Sequence, residues 1–172
     1  MLANLTSCLN SYIFFGSEFI LKSEENVGTL LDMVSKAIML GDDNYSNKIE
    51  GCLVLQLAFQ NFKVQQDYFY QRAPLVLKSI IDLLKQGTTS LCYKRQLCCI
   101  ILSACIYDSL LTKNVLEELQ FTNPFFSMVF DESMIYGSYY ERKLFVFAIC
   151  NILFMGQPSG AAELLKQLIL ML

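Results

Sequence analysis

The side chains in this sequence that could do chemistry fall into few types. Carboxylates stand side by side at Glu24-Glu25, Asp42-Asp43, Glu117-Glu118 and Asp131-Glu132. A carboxylate pair can act as general acid and base when both groups converge on one cleft. Neighbours on a helix project about 100° apart, so adjacency alone does not make them converge. Glu24-Glu25 and Asp42-Asp43 sit where helices are expected to begin, a place that favours negative charge. Seven cysteines, Cys8, Cys52, Cys92, Cys98, Cys99, Cys105 and Cys150, contain no CxxC spacing. Most lie inside apolar runs such as Leu97-Cys98-Cys99-Ile100-Ile101-Leu102. The expectation is therefore core thiols in a reducing compartment, not a disulfide framework or a zinc site. The chain has no histidine. That excludes Ser-His-Asp and Cys-His nucleophile pairs, HExxH zinc sites and histidine bases within it. Neither GxxxxGK[ST] nor GxGxxG occurs, so nothing in the loops reads as a nucleotide cradle. No catalytic residue, cofactor or metal is expected, and the reading is that the chain is not an enzyme.

Composition narrows the partners. Hydrophobic residues make up 54% of the 172 positions and charged residues 17%, with a net charge of −3. Such a chain folds rather than staying disordered. The 13 basic residues are scattered, so the clustered Lys and Arg that nucleic acid requires are missing. The longest apolar stretches run from Leu97 to Tyr107, interrupted by Ser103, and from Leu144 to Met155, interrupted by Asn151. Both fall short of the ~18–20 residues that span a bilayer. No basic segment precedes an N-terminal apolar run, so no signal peptide is expected. Helices buried on more than one side account for the hydropathy.

The elements that must carry these residues are helical. Between Pro74 and Lys85, Val76, Leu77, Ile80, Ile81 and Leu84 share one face and Lys78, Ser79, Asp82 and Lys85 the other. Leu30, Leu31, Val34, Ala37 and Ile38 make a similar stripe, as do Leu164, Leu165, Leu168 and Ile169. Gly41, Gly87 and Gly137 each follow an apolar segment, the position a helix C-terminus reserves for glycine. After each of these glycines comes a polar first turn and then a nearly continuous apolar helix. If Cys52, Leu97 and Leu144 are equivalent, the steps are 45 and 47 residues. A period of ~40–47 with two helices per unit marks HEAT or armadillo arrays.

The expected fold class is all-α, a right-handed HEAT-repeat solenoid of antiparallel helix pairs. Residues 1–172 form one solenoid segment of about three repeats, 24–62, 68–109 and 122–155, flanked by partial repeats 1–16 and 159–172. The helices pair 24–40 with 45–61, 68–86 with 91–108, and 122–135 with 139–155, and a short helix at 112–119 lies in the last linker. An array needs polar caps at its ends. This chain closes on Leu168-Ile169-Leu170-Met171-Leu172, and its first helix lacks a partner. The expectation is an excerpt from a longer solenoid.

The stretch from about 44 to 155 resembles the C-terminal half of importin-beta-type nuclear transport receptors, the karyopherins. It is most similar to the importin seven and importin eight branch. The likeness lies in Ile49-Glu50-Gly51-Cys52 with Leu53-Val54-Leu55, in Val115-Leu116-Glu117-Glu118-Leu119-Gln120-Phe121, and in Glu141-Arg142-Lys143-Leu144-Phe145-Val146-Phe147-Ala148-Ile149-Cys150. The resemblance implies a carrier of protein cargo, moving between cytoplasm and nucleus and binding the GTPase Ran and phenylalanine-glycine nucleoporins. In that family Ran is gripped by N-terminal repeats, which would lie outside this segment. The alternative reading is a HEAT scaffold subunit of another intracellular complex.

Two surfaces are candidates for partners. Glu117, Glu118, Asp131 and Glu132 would form an acidic patch attracting basic cargo, mainly through on-rate and specificity. Lys94-Arg95 and Arg142-Lys143 open equivalent helices, where they would form a ladder between repeats or face a partner on the concave side. Tyr68, Phe69 and Tyr70, with Phe125 and Phe126, are either core or shallow nucleoporin pockets, and the core reading is preferred.

Overall fold

In the computed structural model, the described residues are 2–39, 45–62, 68–88, 90–131 and 138–156. Eight helices appear among them, and no strand: α1 (Leu2–Leu21), α2 (Glu24–Met39), α3 (Tyr45–Asn61), α4 (Tyr68–Gln86), α5 (Leu91–Tyr107), α6 (Ser109–Glu118), α7 (Thr122–Val129) and α8 (Tyr139–Gly156). Local chemistry sets several of the boundaries. Ser23 Oγ accepts from the Asn26 N–H (3.4 Å) ahead of the acidic first turn of α2. Ser90 Oγ accepts from the Tyr93 N–H (3.3 Å) and starts α5. Gly87, at φ +80°, supplies the left-handed residue that ends α4. Gly16 leaves helical φ/ψ inside α1, which therefore bends there and continues to Leu21 instead of stopping near residue 15.

The helices lie in two rows. One row holds α1, α3, α5 and α8 in that order, each packed on the next. The other holds α2, α4 and α6. Within the first row the helices run the same way: Gln56 and Gln60 of α3 meet Gln96 and Ser103 of α5. In the second row Arg72 of α4 reaches Glu24 at the start of α2, and Lys78 of α4 reaches Glu118 at the end of α6. These helices also share a direction. Between rows the direction reverses, because the first turns of α3 and α5 lie beside the last turn of α2. Tyr93 Oη donates to the Ile38 carbonyl there (3.0 Å). Two rows of opposite direction, extended one helix pair at a time, make an all-α helical-repeat solenoid. The core is continuous along it. Phe59 and Phe62 of the α3 end, Phe69 of α4 and Tyr107 of α5 interlock edge to face, with ring centroids 4.9–5.6 Å apart.

The third pair departs from the sequence reading. The helix of the second row that faces α8 is α6, not α7, the described part of the helix expected over 122–135; residues 132–135 lie outside the described residues. Asp108 explains why. Its N–H donates to the Ala104 carbonyl (2.8 Å) and closes α5, while its carboxylate accepts from the Leu111 N–H (2.9 Å) and opens α6. One residue serves both ends, so the chain crosses rows at once and α6 takes the place beside α4. The helix α7 is left as an eight-residue plug under α6. It buries Phe125 and Val129 and reaches α8 through Phe130 against Phe145 (5.4 Å). The expected C-terminal helix over 159–172 lies outside the described residues.

Two close backbone features yield predictions. A Cβ on Gly51 of α3 would stand 2.9 Å from Ile38 Cγ1 and 3.0 Å from Ala37 Cβ, whereas one on Gly28 of α2 would meet nothing within 4 Å. Gly51→Ala is therefore expected to lose roughly 1–2 kcal/mol to overpacking, and Gly28→Ala to gain about 0.5–1 kcal/mol from helix propensity. Urea titrations of both variants read this contrast, and equal signs would refute the close approach of α2 and α3. Gln120 ends α6 at φ +52°, with the Phe121 N–H on the Leu116 carbonyl (2.8 Å) and its own N–H on the Glu117 carbonyl (3.0 Å). Gln120→Gly relieves a side chain held in the left-handed region and should raise stability by about 1 kcal/mol, measured as an increase in Tm.

Candidate interaction surface

Helix α5 has neighbours on both sides within its row and two helices of the other row beneath it. Every residue from Gln96 to Cys105 is buried. A helix in that position must satisfy its polar side chains internally. It does so through a rung that crosses three helices. Gln56 Nε2 of α3 donates to Gln96 Oε1 of α5 (2.8 Å), and Gln96 Nε2 donates to Glu141 Oε1 of α8 (3.0 Å). The other carboxylate oxygen of Glu141 accepts from the Ser138 N–H (3.2 Å), and Ser138 Oγ accepts from the Glu141 N–H (3.1 Å). Ser138-Tyr139-Tyr140-Glu141 is thus a capping box whose glutamate also ties α8 to α5.

A second polar link runs nearer the surface. Gln60 Nε2 of α3 donates to Ser103 Oγ of α5 (3.0 Å) and to Tyr140 Oη of α8 (2.5 Å). It joins the first and third of these helices over the middle one, and the face it spans is called the inner face of the row. Burial raises the Tyr140 hydroxyl above its ordinary pKa, and the hydrogen bond to Gln60 opposes that shift. Beside it, α8 presents Tyr139, Lys143 and Phe147 to solvent, with the Lys143 ammonium 5.9 Å from each ring centroid. Tyr139 is 74% exposed and Phe147 53%, so this strip is available for contact.

The acidic candidates lie in the other row. Glu117 and Glu118 are exposed on α6, where Glu118 pairs with Lys78 (2.6 Å) and Glu117 with Lys113 (3.8 Å). Exposed pairs of this kind add at most about 1 kcal/mol and can exchange partners. Asp131 is exposed beyond α7, and Glu132 lies outside the described residues. Among the described residues, the acidic candidates are divided between α6 and the residue that follows the last turn of α7. Among the basic candidates, Lys94 and Arg95 are half-buried at the start of α5, and Arg142 and Lys143 are exposed on α8. None of these four forms an ion pair among the described residues. The rung between repeats is made instead by Gln96 and Glu141, their chain neighbours. The Ser-x-x-Glu spacing of the capping box was readable in the sequence; the link from Gln56 to Gln96 was not. Phe69 and Phe125 are fully buried and Phe126 is 9% exposed, so these rings belong to the core.

Other chemistry finds little support. Cys52, Cys98, Cys99 and Cys105 are buried, and desolvation pushes their thiols up, Cys98 and Cys105 to about 12. They are protonated at neutral pH and unreactive. Among the described residues no group of His, Cys, Asp or Glu could hold a metal, and no helix is long and apolar enough to cross a membrane. An open groove of about 680 Å³ lies where α2 and α4 end and α3 and α5 begin. It holds the Lys48 ammonium 5.5 Å from the Tyr45 ring centroid and 5.7 Å from that of Tyr93.

Native alkylation at neutral pH should label the exposed Cys8 and Cys92 and spare Cys52, Cys98, Cys99 and Cys105 until denaturant is added. Peptide mass spectrometry distinguishes these sites. Gln96→Leu would strip both neighbours of their partner and is expected to cost about 2–3 kcal/mol of unfolding free energy. A loss below about 0.5 kcal/mol in a urea titration would show that the rung contributes nothing.

No family profile matches the chain. No solved structure matches it either. The curated proteins do contain a relative: the chain is 24% identical over 165 residues to a protein described as a probable importin-7 homolog from Dictyostelium discoideum. The match covers 94% of this chain and 15% of that protein, so the chain spans under a sixth of its relative's length. At that level the likeness is to an importin-like helical-repeat protein.

Proposed function

We propose that this chain is a segment of a nuclear import receptor, contributing solenoid scaffold and a protein-binding surface. The supporting observation is the extent of the likeness to the probable importin-7 homolog, 94% of the chain, in a two-row helical array. Similarity carried by one motif would cover a fraction of that length. The work of such a segment is equilibrium binding over a broad curved face, with no catalytic step. The whole receptor would shuttle between cytoplasm and nucleus, and its contacts with Ran would be made by repeats outside this segment. Phenylalanine-glycine nucleoporins are further partners of that whole receptor. On this reading the chain comprises repeats 24–62 and 68–109 and a third unit, expected at 122–155, whose start moves back to α6 at Ser109, with partial repeats at 1–16 and 159–172.

The two rows offer a partner different chemistry. Glu117, Glu118, Asp131 and Glu132 would meet a basic cargo from the α6 and α7 side. Arg95 and Lys143 would meet an acidic segment on the inner side. We assign the cargo contact to the acidic residues because the Glu117 and Glu118 carboxylates are exposed and held in pairs that solvent screens.

The test is binding of a basic import cargo, such as a core histone, to the purified chain across a salt series. Saturable binding that weakens with salt is expected. Charge reversal at Glu117, Glu118, Asp131 and Glu132 together should cost at least about tenfold in Kd. Reversal at Arg95 and Lys143 should leave it unchanged. Loss on the second pair alone would move the contact to the inner row. Absence of saturable binding at low salt would remove basic cargo from this segment's role.

A further inference from the structure

In a repeat array each helix touches its immediate neighbours, and interaction energy runs from one unit to the next. The Gln60 amide breaks that rule. Its two N–H bonds are divided between Ser103 of the adjacent helix and Tyr140 of the next helix but one. The residues it joins, Gln60 and Tyr140, are 80 positions apart in the chain. Under this span lie Cys99 and Ser103 of α5, both at 0% exposure. Cys99 stands three positions after Gln96 and four before Ser103, so the three share the face of α5 that Gln60 and Tyr140 span. On the inner side, Gln60 and Tyr140 are therefore the cover over α5.

The two polar links across these helices differ in what opening them costs. The lower rung, Gln56–Gln96–Glu141, consists of residues that are each at most 9% exposed. Separating it strands buried polar groups, so it holds. The upper link is at the surface, with Tyr140 44% exposed. When it opens, water replaces each lost partner at little net cost. A rung that stays shut beneath a link that opens is a hinge beneath a latch.

The geometry points to Gln60 and Tyr140 as a latch that holds α3 and α8 together over α5 and sets the inward curvature of the segment. Closed, it covers Cys99. Open, it lets α8 swing about the Gln96–Glu141 contact and bares the inner stripe of α5. The fit of the inner row to any partner then depends on one exposed hydrogen bond. This inference goes beyond the assignment of the chain to an import receptor and stands without it.

The buried cysteines read the latch directly. Native alkylation of the full chain, resolved by peptide mass spectrometry, follows Cys99 beside Cys52, Cys98 and Cys105. Tyr140→Phe removes the hydroxyl and keeps the ring; Gln60→Leu removes the donor and keeps the bulk. Each is expected to raise the labelling rate of Cys99 by about fivefold, the effect of one hydrogen bond on an opening equilibrium. The rates at Cys52, Cys98 and Cys105 should stay unchanged. The double variant should label no faster than Gln60→Leu alone, because the Tyr140 hydroxyl acts through its bond to Gln60. An unchanged Cys99 rate in both single variants overturns the latch. So does a parallel increase at all four cysteines, which would mean that the bond serves global stability only.

Discussion

A helix enclosed on all sides has no face left for water, and α5 is such a helix from Gln96 to Cys105. Its neighbours α3, α4, α6 and α8 surround it, and the rest of the segment is arranged around that enclosure. Leu97, Ile100, Ile101 and Leu102 fill it at 0% exposure, and the smaller gaps are closed by cysteine, alanine and serine. Cysteine suits these places because it packs as a small hydrophobe. The same burial takes away its reactivity by holding the thiolate out of reach. Four of the seven cysteines are therefore structural, and the chain's low content of titratable chemistry follows from the way it packs.

Enclosure also decides what polar groups can do. Gln96 is surrounded, so each end of its amide must find a partner, and the partners lie on the helices to either side. A residue placed at that position makes an inter-repeat tie by necessity. The other row is under no such constraint. There, Arg72 to Glu24, Lys78 to Glu118 and the Lys85 ammonium on the Leu119 carbonyl (3.2 Å) link successive helices at the surface. These contacts are screened by solvent and salt. The segment is thus stitched by glutamine amides on its inner row and by exposed ion pairs on the other. The two sides can respond differently to a charged partner.

An importin-like array works by presenting an extended surface whose shape adjusts through many small interfaces. In this segment the adjustment is uneven. The rung through Gln56, Gln96 and Glu141 makes one line of contact stiff, and the surface link through Gln60 and Tyr140 is the softer one. The acidic groups on α6 lie outside that line. Charge on the outer row is therefore separate from the hydrogen bonds that tie the inner row.

Local order determined much of this. Apolar spacing marked α2 and α4 as helices with one wet face, and the apolar runs from Leu97 to Tyr107 and from Leu144 to Met155, each interrupted once, marked helices buried on several sides. The Ser138–Glu141 spacing contained its own cap, because both partners of a capping box lie within one turn. Such features need only residues a few positions apart. The recurrence of 45 and 47 residues indicated stacked pairs. It could not show that Asp108 sends the chain across at once, so that α6 and not α7 faces α8. Nor did it identify the glutamines as ties, since Gln56 and Gln96 lie 40 positions apart and Gln60 and Tyr140 lie 80 apart. Whether two such side chains meet depends on how far each helix is shifted along its axis relative to the next. That shift is set by the packing of whole faces. The sequence by itself determined which faces are buried; only the tertiary structure decided which polar groups those faces bring together.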